Sequence, residues 1–263
     1  MENVNNRIQK AFQNHKAFIP FITVGDPDID TTKDVVRAAV AAGADLIELG
    51  IPFSDPTAEG PVIMEADIRA LKAGTTTEKV FQLTKELRQE FPEVALVYMT
   101  YANVVYHYGI QRFSERASDA GIDGLILPDV PLEERGEFDG ILSQYGIDLI
   151  SMVAPTSENR IAEIVKDAKG FIYIVSSLGV TGTRSAITTD IGKLVGVIRE
   201  NSSIPCAVGF GISNPEQAAK MAALSDGAIV GSAVMKLIAA NGKKVAEPVG
   251  AFIQEMAEAV HQA

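Results

Sequence analysis

A single cysteine, Cys206, is all the thiol chemistry available to this 263-residue chain, which excludes an intramolecular disulfide. Set in the apolar run Ile204-Pro205-Cys206-Ala207-Val208, it reads as a small core residue rather than a nucleophile. Histidine is nearly as scarce. His15, His107 and His261 are too dispersed along the predicted fold for a metal constellation, and no CxxC or HExxH spacing occurs, so no metal is expected. No apolar run approaches membrane-spanning length and the opening stretch Met1–Ile8 is polar as a whole, which predicts neither a signal peptide nor a membrane helix and makes the cytoplasm the expected compartment. The net charge is −11 and the basic residues form no stripe that could track a phosphate backbone, so nucleic acid is not an expected partner. Charge blocks, low-complexity segments and Pro/Ser-rich linkers are missing too, which predicts a single domain over residues 1–263.

What is present describes a globular protein able to bury a large core, with 47% hydrophobic and 22% charged residues. Eight short apolar or β-branched runs, at 18–24, 45–51, 94–101, 124–128, 148–153, 171–176, 204–209 and 227–230, alternate with segments of helical periodicity at 31–42, 77–90, 110–120, 132–145, 158–168, 191–200 and 215–224. That alternation predicts parallel strands. A doubly wound open sheet uses the same pattern, but eight strands punctuated by polar and glycine-rich turns favour closure into a (β/α)8 TIM barrel. Helical patterns at 3–13 and 62–72 lie outside the eightfold count, the first placed to plug the barrel bottom, and a last amphipathic helix at 249–261 closes the chain. In this fold chemistry sits where strands end and loops begin.

One strand that should be apolar carries a carboxylate. Side chains alternate along Asp45-Leu46-Ile47-Glu48-Leu49-Gly50-Ile51, so Ile47, Leu49 and Ile51 face the helices while Leu46, Glu48 and Gly50 face inward. The predicted strands hold no lysine or arginine to neutralise Glu48. It is either a buried structural carboxylate satisfied by hydroxyls or water, or a general acid/base whose pKa desolvation has raised. The same lack of a strand lysine argues against Schiff-base chemistry, leaving non-covalent proton transfer.

Glycine-rich turns follow the last three strands: Gly179-Val180-Thr181-Gly182, Gly209-Phe210-Gly211-Ile212 and Gly231-Ser232-Ala233. Glycine lets backbone N–H groups approach an anion, Ser232 adds a hydroxyl, and the helix opening after it presents its positive end, so the trio reads as a phosphate cradle. Arg184 is the sole cation close in sequence, and 178–187 is a candidate lid. Phe21, Tyr101, Tyr173 and Phe210, from four different strands or strand ends, suit a flat aromatic group joined to a phosphorylated tail.

Across essentially its whole length the chain resembles the tryptophan synthase alpha subunits. The resemblance rests on Phe21-Ile22-Thr23-Val24-Gly25-Asp26-Pro27, Glu48-Leu49-Gly50-Ile51-Pro52-Phe53-Ser54-Asp55-Pro56, Tyr101-Ala102-Asn103, Asp129-Val130-Pro131, Gly179-Val180-Thr181-Gly182 and Gly209-Phe210-Gly211-Ile212. It implies retro-aldol cleavage of indole-3-glycerol phosphate to indole and glyceraldehyde 3-phosphate, without a cofactor in this subunit. Glu48 matches the family's catalytic glutamate, Tyr173 a tyrosine beside it, Thr181 a lid residue, and Gly182, Gly211, Gly231 and Ser232 the phosphate contacts. At Glu59 the family usually has an aspartate that holds the indole N–H, so the acid is kept but lengthened. The resemblance also implies a pyridoxal-phosphate (PLP) beta subunit as partner in an α2β2 complex, with 52–55, 101–103 and 129–132 as interface candidates. Adaptation of the loop to glutamate and a chain that chiefly activates its partner are both open readings of Glu59. Phosphoribosyl-type isomerases and indole-glycerol-phosphate synthases share the cradle but need paired inward carboxylates or strand lysines, which the predicted strands lack.

Overall fold

A computed structural model describes residues 6–176 and 190–263. Eight parallel strands close on themselves in sequence order: β1 (Ala17–Thr23), β2 (Leu46–Gly50), β3 (Ala95–Met99), β4 (Gly124–Ile126), β5 (Asp148–Val153), β6 (Lys169–Val175), β7 (Cys206–Gly209) and β8 (Gly227–Val230). Around them lie α1 (Asn6–Ala11), α2 (Ile29–Ala41), α3 (Pro61–Lys72), α4 (Thr77–Glu90), α5 (Ala102–Tyr108), α6 (Ile110–Ala120), α7 (Arg135–Leu142), α8 (Ile161–Val165), α9 (Ile191–Asn201), α10 (Pro215–Leu224), α11 (Ser232–Asn241) and α12 (Ala246–His261). The predicted barrel and its extra helices are therefore present. The helices expected at 132–145 and 158–168 are shorter, because 3-10 turns at Leu132–Glu134, Ser143–Tyr145 and Pro155–Arg160 take up their ends. Helix α5 begins inside what reads as a loop: its first free N–H, that of Ala102, donates to both carboxylate oxygens of Asp129, at 3.0 and 3.1 Å, and a cap from another loop leaves no local signal.

Local chemistry accounts for the regular elements. In α4, Thr76 accepts from the Lys79 N–H as N-cap, and Val80, Phe81, Leu83, Thr84 and Leu87 form one buried face. That face lies over the outer side of β3, where the buried Tyr98 hydroxyl donates to Thr84 Oγ1 at 2.6 Å. Every strand residue of β1 to β4 is buried, as expected of parallel strands covered by helices.

The bottom of the barrel is closed by α1, whose Ile8 is fully buried. A Cβ at Gly124 or Gly170 would meet the Ile8 side chain at 3.3 and 3.2 Å, so glycine at these strand starts admits the plug. Asp123, buried just ahead of β4, ties the plug to the wall. It accepts from Arg7 at 2.6 Å, Arg88 at 2.7 Å and the Leu96 N–H at 2.9 Å. Asp123→Ala strands two guanidinium groups in a half-buried setting, and a loss of about 3–5 kcal/mol in urea unfolding is expected; a loss below about 1 kcal/mol would show the latch to be superficial.

Two expectations need correcting at this end of the barrel. β6 starts one turn of pleat earlier than predicted and does contain a lysine, Lys169, but its ammonium is bound at the bottom by Asp139 at 2.9 and 3.0 Å and by Ser143 at 2.7 Å, far along the strand from the mouth. His15 and His261, expected to lie apart, stack with ring centroids 3.9 Å apart beside Asp45. They are 246 positions apart in the chain, and only the docking of α12 across the start of β1 brings them together.

Candidate active site

Glu48 stands two residues before the end of β2 and is 1% exposed. Its register partners are Phe21 on β1 and Val97 on β3, so these three side chains share the inward face. Among the described residues neither Glu48 oxygen has a hydrogen-bond partner. Burial raises its pKa from 4.5 to about 8, and the nearby charge of Glu59 pushes in the same direction. At neutral pH Glu48 is thus a protonated carboxyl aimed into a cavity.

That cavity is a narrow pocket walled by Phe21, Glu48, Glu59, Tyr173, Phe210, Gly211, Gly231 and Ser232, together with Ile63, Met99, Ile212 and Ile229. The wall depends on missing side chains. A Cβ at Gly50 would lie 2.6 Å from the Phe21 ring, and one at Gly209 would lie 2.4 Å from the Tyr173 hydroxyl, so these two strand-end glycines let both aromatic rings lie flat across the mouth. Phe210 takes φ 74, the sole positive-φ non-glycine residue among those described, followed by Gly211 at φ 82. The strained backbone at Phe210 accompanies a ring set edge-on to Tyr173 with centroids 6.1 Å apart. Phe210 also walls a wider groove of about 510 Å³ beyond the ends of β4 and β5, past Leu127, Pro128 and Met152.

Tyr101 is buried but does not reach this pocket. Its hydroxyl accepts from the Ala58 N–H at 3.2 Å and its ring packs on Phe53 at 5.5 Å, so it props the loop that carries Glu59. Gly231 precedes α11 as its N-cap, and no side chain caps the first-turn N–H groups of that helix, which begins at Ser232. Their positive end faces the pocket with Gly211 among its other walls, an arrangement with the chemistry to receive an anion. Thr181, Gly182, Arg184 and the whole of 178–187 lie outside the described residues.

The sequence reading missed Asp67. On α3 it shares the buried stripe with Ile63, Ala66 and Ala70, and an acid on an apolar helical face is the signal that could have found it. Burial raises its pKa to about 8, with the charge of Glu59 second; the Phe53 N–H opposes this. The Thr23 hydroxyl leans toward it without reaching hydrogen-bond geometry. Asp26, also on this side, makes a two-pronged ion pair with Arg69 at 2.8 and 2.7 Å, and its charge adds to the rise at Asp67. Glu48 and Asp67 thus both feel Glu59 and keep their protons up to about pH 8.

A carboxyl whose pKa is higher folded than unfolded binds a proton that the unfolded chain has released. Stability therefore falls as pH rises from 4.5 to about 8, by about 1.4 kcal/mol per pH unit for one such group. Glu48→Gln removes this titration and leaves that of Asp67 in place. The variant is expected to gain on the parent in urea unfolding as pH is raised across the window, and parallel pH curves for the two proteins would contradict a protonated Glu48.

Fold and site together define a (β/α)8 barrel with an acidic pocket at its mouth, the class that holds lyases and isomerases working by proton transfer. The family described as tryptophan synthase alpha chain matches residues 8–261, and this chain belongs to it. It is a lyase of tryptophan biosynthesis, and its reaction is the family's cleavage of indole-3-glycerol phosphate to indole and glyceraldehyde 3-phosphate. The tryptophan synthase alpha chain of Lactiplantibacillus plantarum is 52% identical over 231 residues, covering 88% of this chain and 87% of its own. That of Alkaliphilus metalliredigens is 46% identical over 261 residues, covering 98% of both. Among solved structures, the tryptophan synthase subunit alpha of Legionella pneumophila superposes with a TM-score of 0.87 at 32% identity, over 98% of this chain and 99% of its own. Mycobacterium tuberculosis tryptophan synthase gives 0.85 at 34%, over 94% and 93%. No helix among the described residues is long and apolar enough to cross a membrane.

Proposed function

We propose that Glu48 performs both proton transfers of this cleavage and that Glu59 holds the indole ring while it is positively charged. The observation that carries the reading is the Glu48 carboxyl, buried, without a hydrogen-bond partner among the described residues and with its pKa raised to about 8, facing a pocket walled by aromatic rings. As an acid it gives its proton to the indole C3. The ring becomes an iminium-type cation, an electron sink for the bond between C3 and the glycerol carbon. The resulting carboxylate takes the proton of the hydroxyl on that carbon as the bond breaks, so an aldehyde forms and Glu48 regains its starting state. Glu59, anionic, accepts the indole N–H and opposes the positive charge that develops there.

Phe21 and Tyr173 sandwich the ring, Phe210 closes it on the groove side, and Gly211, Gly231 and Ser232 bind the phosphate with Gly182 and the lid residue Thr181. Backbone dipoles rather than side-chain cations carry the anion, which suits a chain of net charge −11. The whole of residues 1–263 acts as one cytoplasmic domain. Its partner is a beta subunit holding the PLP, in an α2β2 complex, while this chain uses no cofactor of its own. The interface candidates form one patch at the mouth: Phe53 packs on Tyr101, and Asp129 caps the helix that starts at Ala102. Loss of indole release in Glu48→Gln with phosphate-ligand binding retained is the test.

A further inference from the structure

The end of the barrel remote from the pocket holds a second constellation. His15 lies just before β1, Asp45 just before β2, and His261 is the last residue of α12. Asp45 Oδ2 lies 2.8 Å from His261 Nε2 and also accepts from the Phe18 N–H at 2.8 Å, while Asp45 Oδ1 lies 3.7 Å from His15 Nε2. One donor atom from each residue falls within 4.8 Å of the others. We propose that His15, Asp45 and His261 bind a divalent transition-metal ion of the zinc type.

Spacing is the first reason. Zinc bound at about 2.0–2.1 Å by nitrogen and oxygen in a tetrahedron separates its donors by about 3.3–3.4 Å, and the two His–Asp distances of 2.8 and 3.7 Å lie on either side of that value. Orientation is the second. His15 Nδ1 is 3.2 Å from the Lys16 carbonyl oxygen, an acceptor that holds the proton on Nδ1 and turns the lone pair of Nε2 toward Asp45. A backbone carbonyl in this role is the usual support for a metal-binding imidazole. Asp45 is likewise held, by the Phe18 N–H.

Access and charge complete the case. The Asp45 side chain is 14% exposed, but the imidazoles of His15 and His261 are 36% and 26% exposed, leaving a way in for the ion and room for water as a further ligand. The neighbouring cation, Lys16, sends its ammonium to the Ser225 carbonyl oxygen at 2.6 Å instead of to Asp45. Two imidazoles and one carboxylate select zinc, cobalt or nickel over magnesium and calcium, which want oxygen donors throughout. The ion would fasten the end of α12 to the chain ahead of β1 and β2, so binding reads out as stability rather than as catalysis.

Calorimetric titration of the chelator-treated protein with zinc chloride at neutral pH tests the site. One equivalent should bind and raise the Tm, while magnesium chloride should leave the Tm unmoved. His15→Gln and His261→Gln should each weaken zinc binding at least about tenfold with unchanged far-UV circular dichroism, and His107→Gln, at an exposed position on α5, should bind as the parent does. In the unaltered protein, zinc should shift the ring-proton resonances of two of the three histidines, a measurement independent of whether the variants fold. Absence of binding up to millimolar zinc, binding retained in both variants, or a shift of the His107 resonance alone would overturn the proposal.

Discussion

Glu48→Gln is expected to fold, to bind a glycerol-phosphate ligand as the parent does, and to release indole roughly 10²–10⁴ times more slowly. The amide keeps the shape of the side chain and removes the only proton it can give. The parent carboxyl is held protonated at neutral pH by burial and by the neighbouring Glu59 charge, so the reacting form is already the resting one. In the proposed reading phosphate is bound by the Gly211 and Gly231–Ser232 backbone and not by Glu48, so its binding should not move. Indole release within threefold of the parent, measured with saturating substrate, would show that another group transfers the proton.

Glu59 separates an adapted catalyst from a chain whose main task is to activate a partner. It is 4% exposed, walls the same pocket as Glu48, and sits on a loop that Tyr101 props from behind through the Ala58 N–H. If that loop positions the longer side chain, Glu59→Gln should lose about 10²–10³-fold in indole formation, because the charge opposing the developing indolium is gone, and Glu59→Asp should match the parent or fall below it. A gain of tenfold or more in Glu59→Asp, equal to about 1.4 kcal/mol of barrier, together with negligible parental cleavage even when a beta subunit is added, would support the activating role. The propped loop favours the first outcome, since it fixes where the carboxylate of a glutamate ends.

Much of the site was legible before any coordinates, because its signals are violations of local pattern. An acid at an inward position of β2 conflicts with the apolar character of a buried parallel strand, and the turn after β7 holds Gly211 at φ 82, a conformation that glycine supplies cheaply. In the fold Glu48, Gly211, Gly231 and Ser232 wall one pocket. Asp67 was overlooked although the same logic applied to α3, and the contact of the Tyr101 hydroxyl with the Ala58 N–H, which holds the Glu59 loop, has no local signal.

The order of strands, the inward face of β2 and the turn chemistry are properties of periodicity and backbone conformation, which act over a few residues, so the sequence by itself determined the barrel and the address of its inward acid, Glu48. Which carboxyls keep their protons was decided only by the tertiary structure, because desolvation and the field of Glu59 depend on what α3 and the loop ahead of it place around Glu48 and Asp67. The same holds for His15 and His261. Nothing in the chain between them predicts their meeting; it follows from closure of the barrel, which returns α12 to the start of β1 and sets two distant imidazoles on one aspartate.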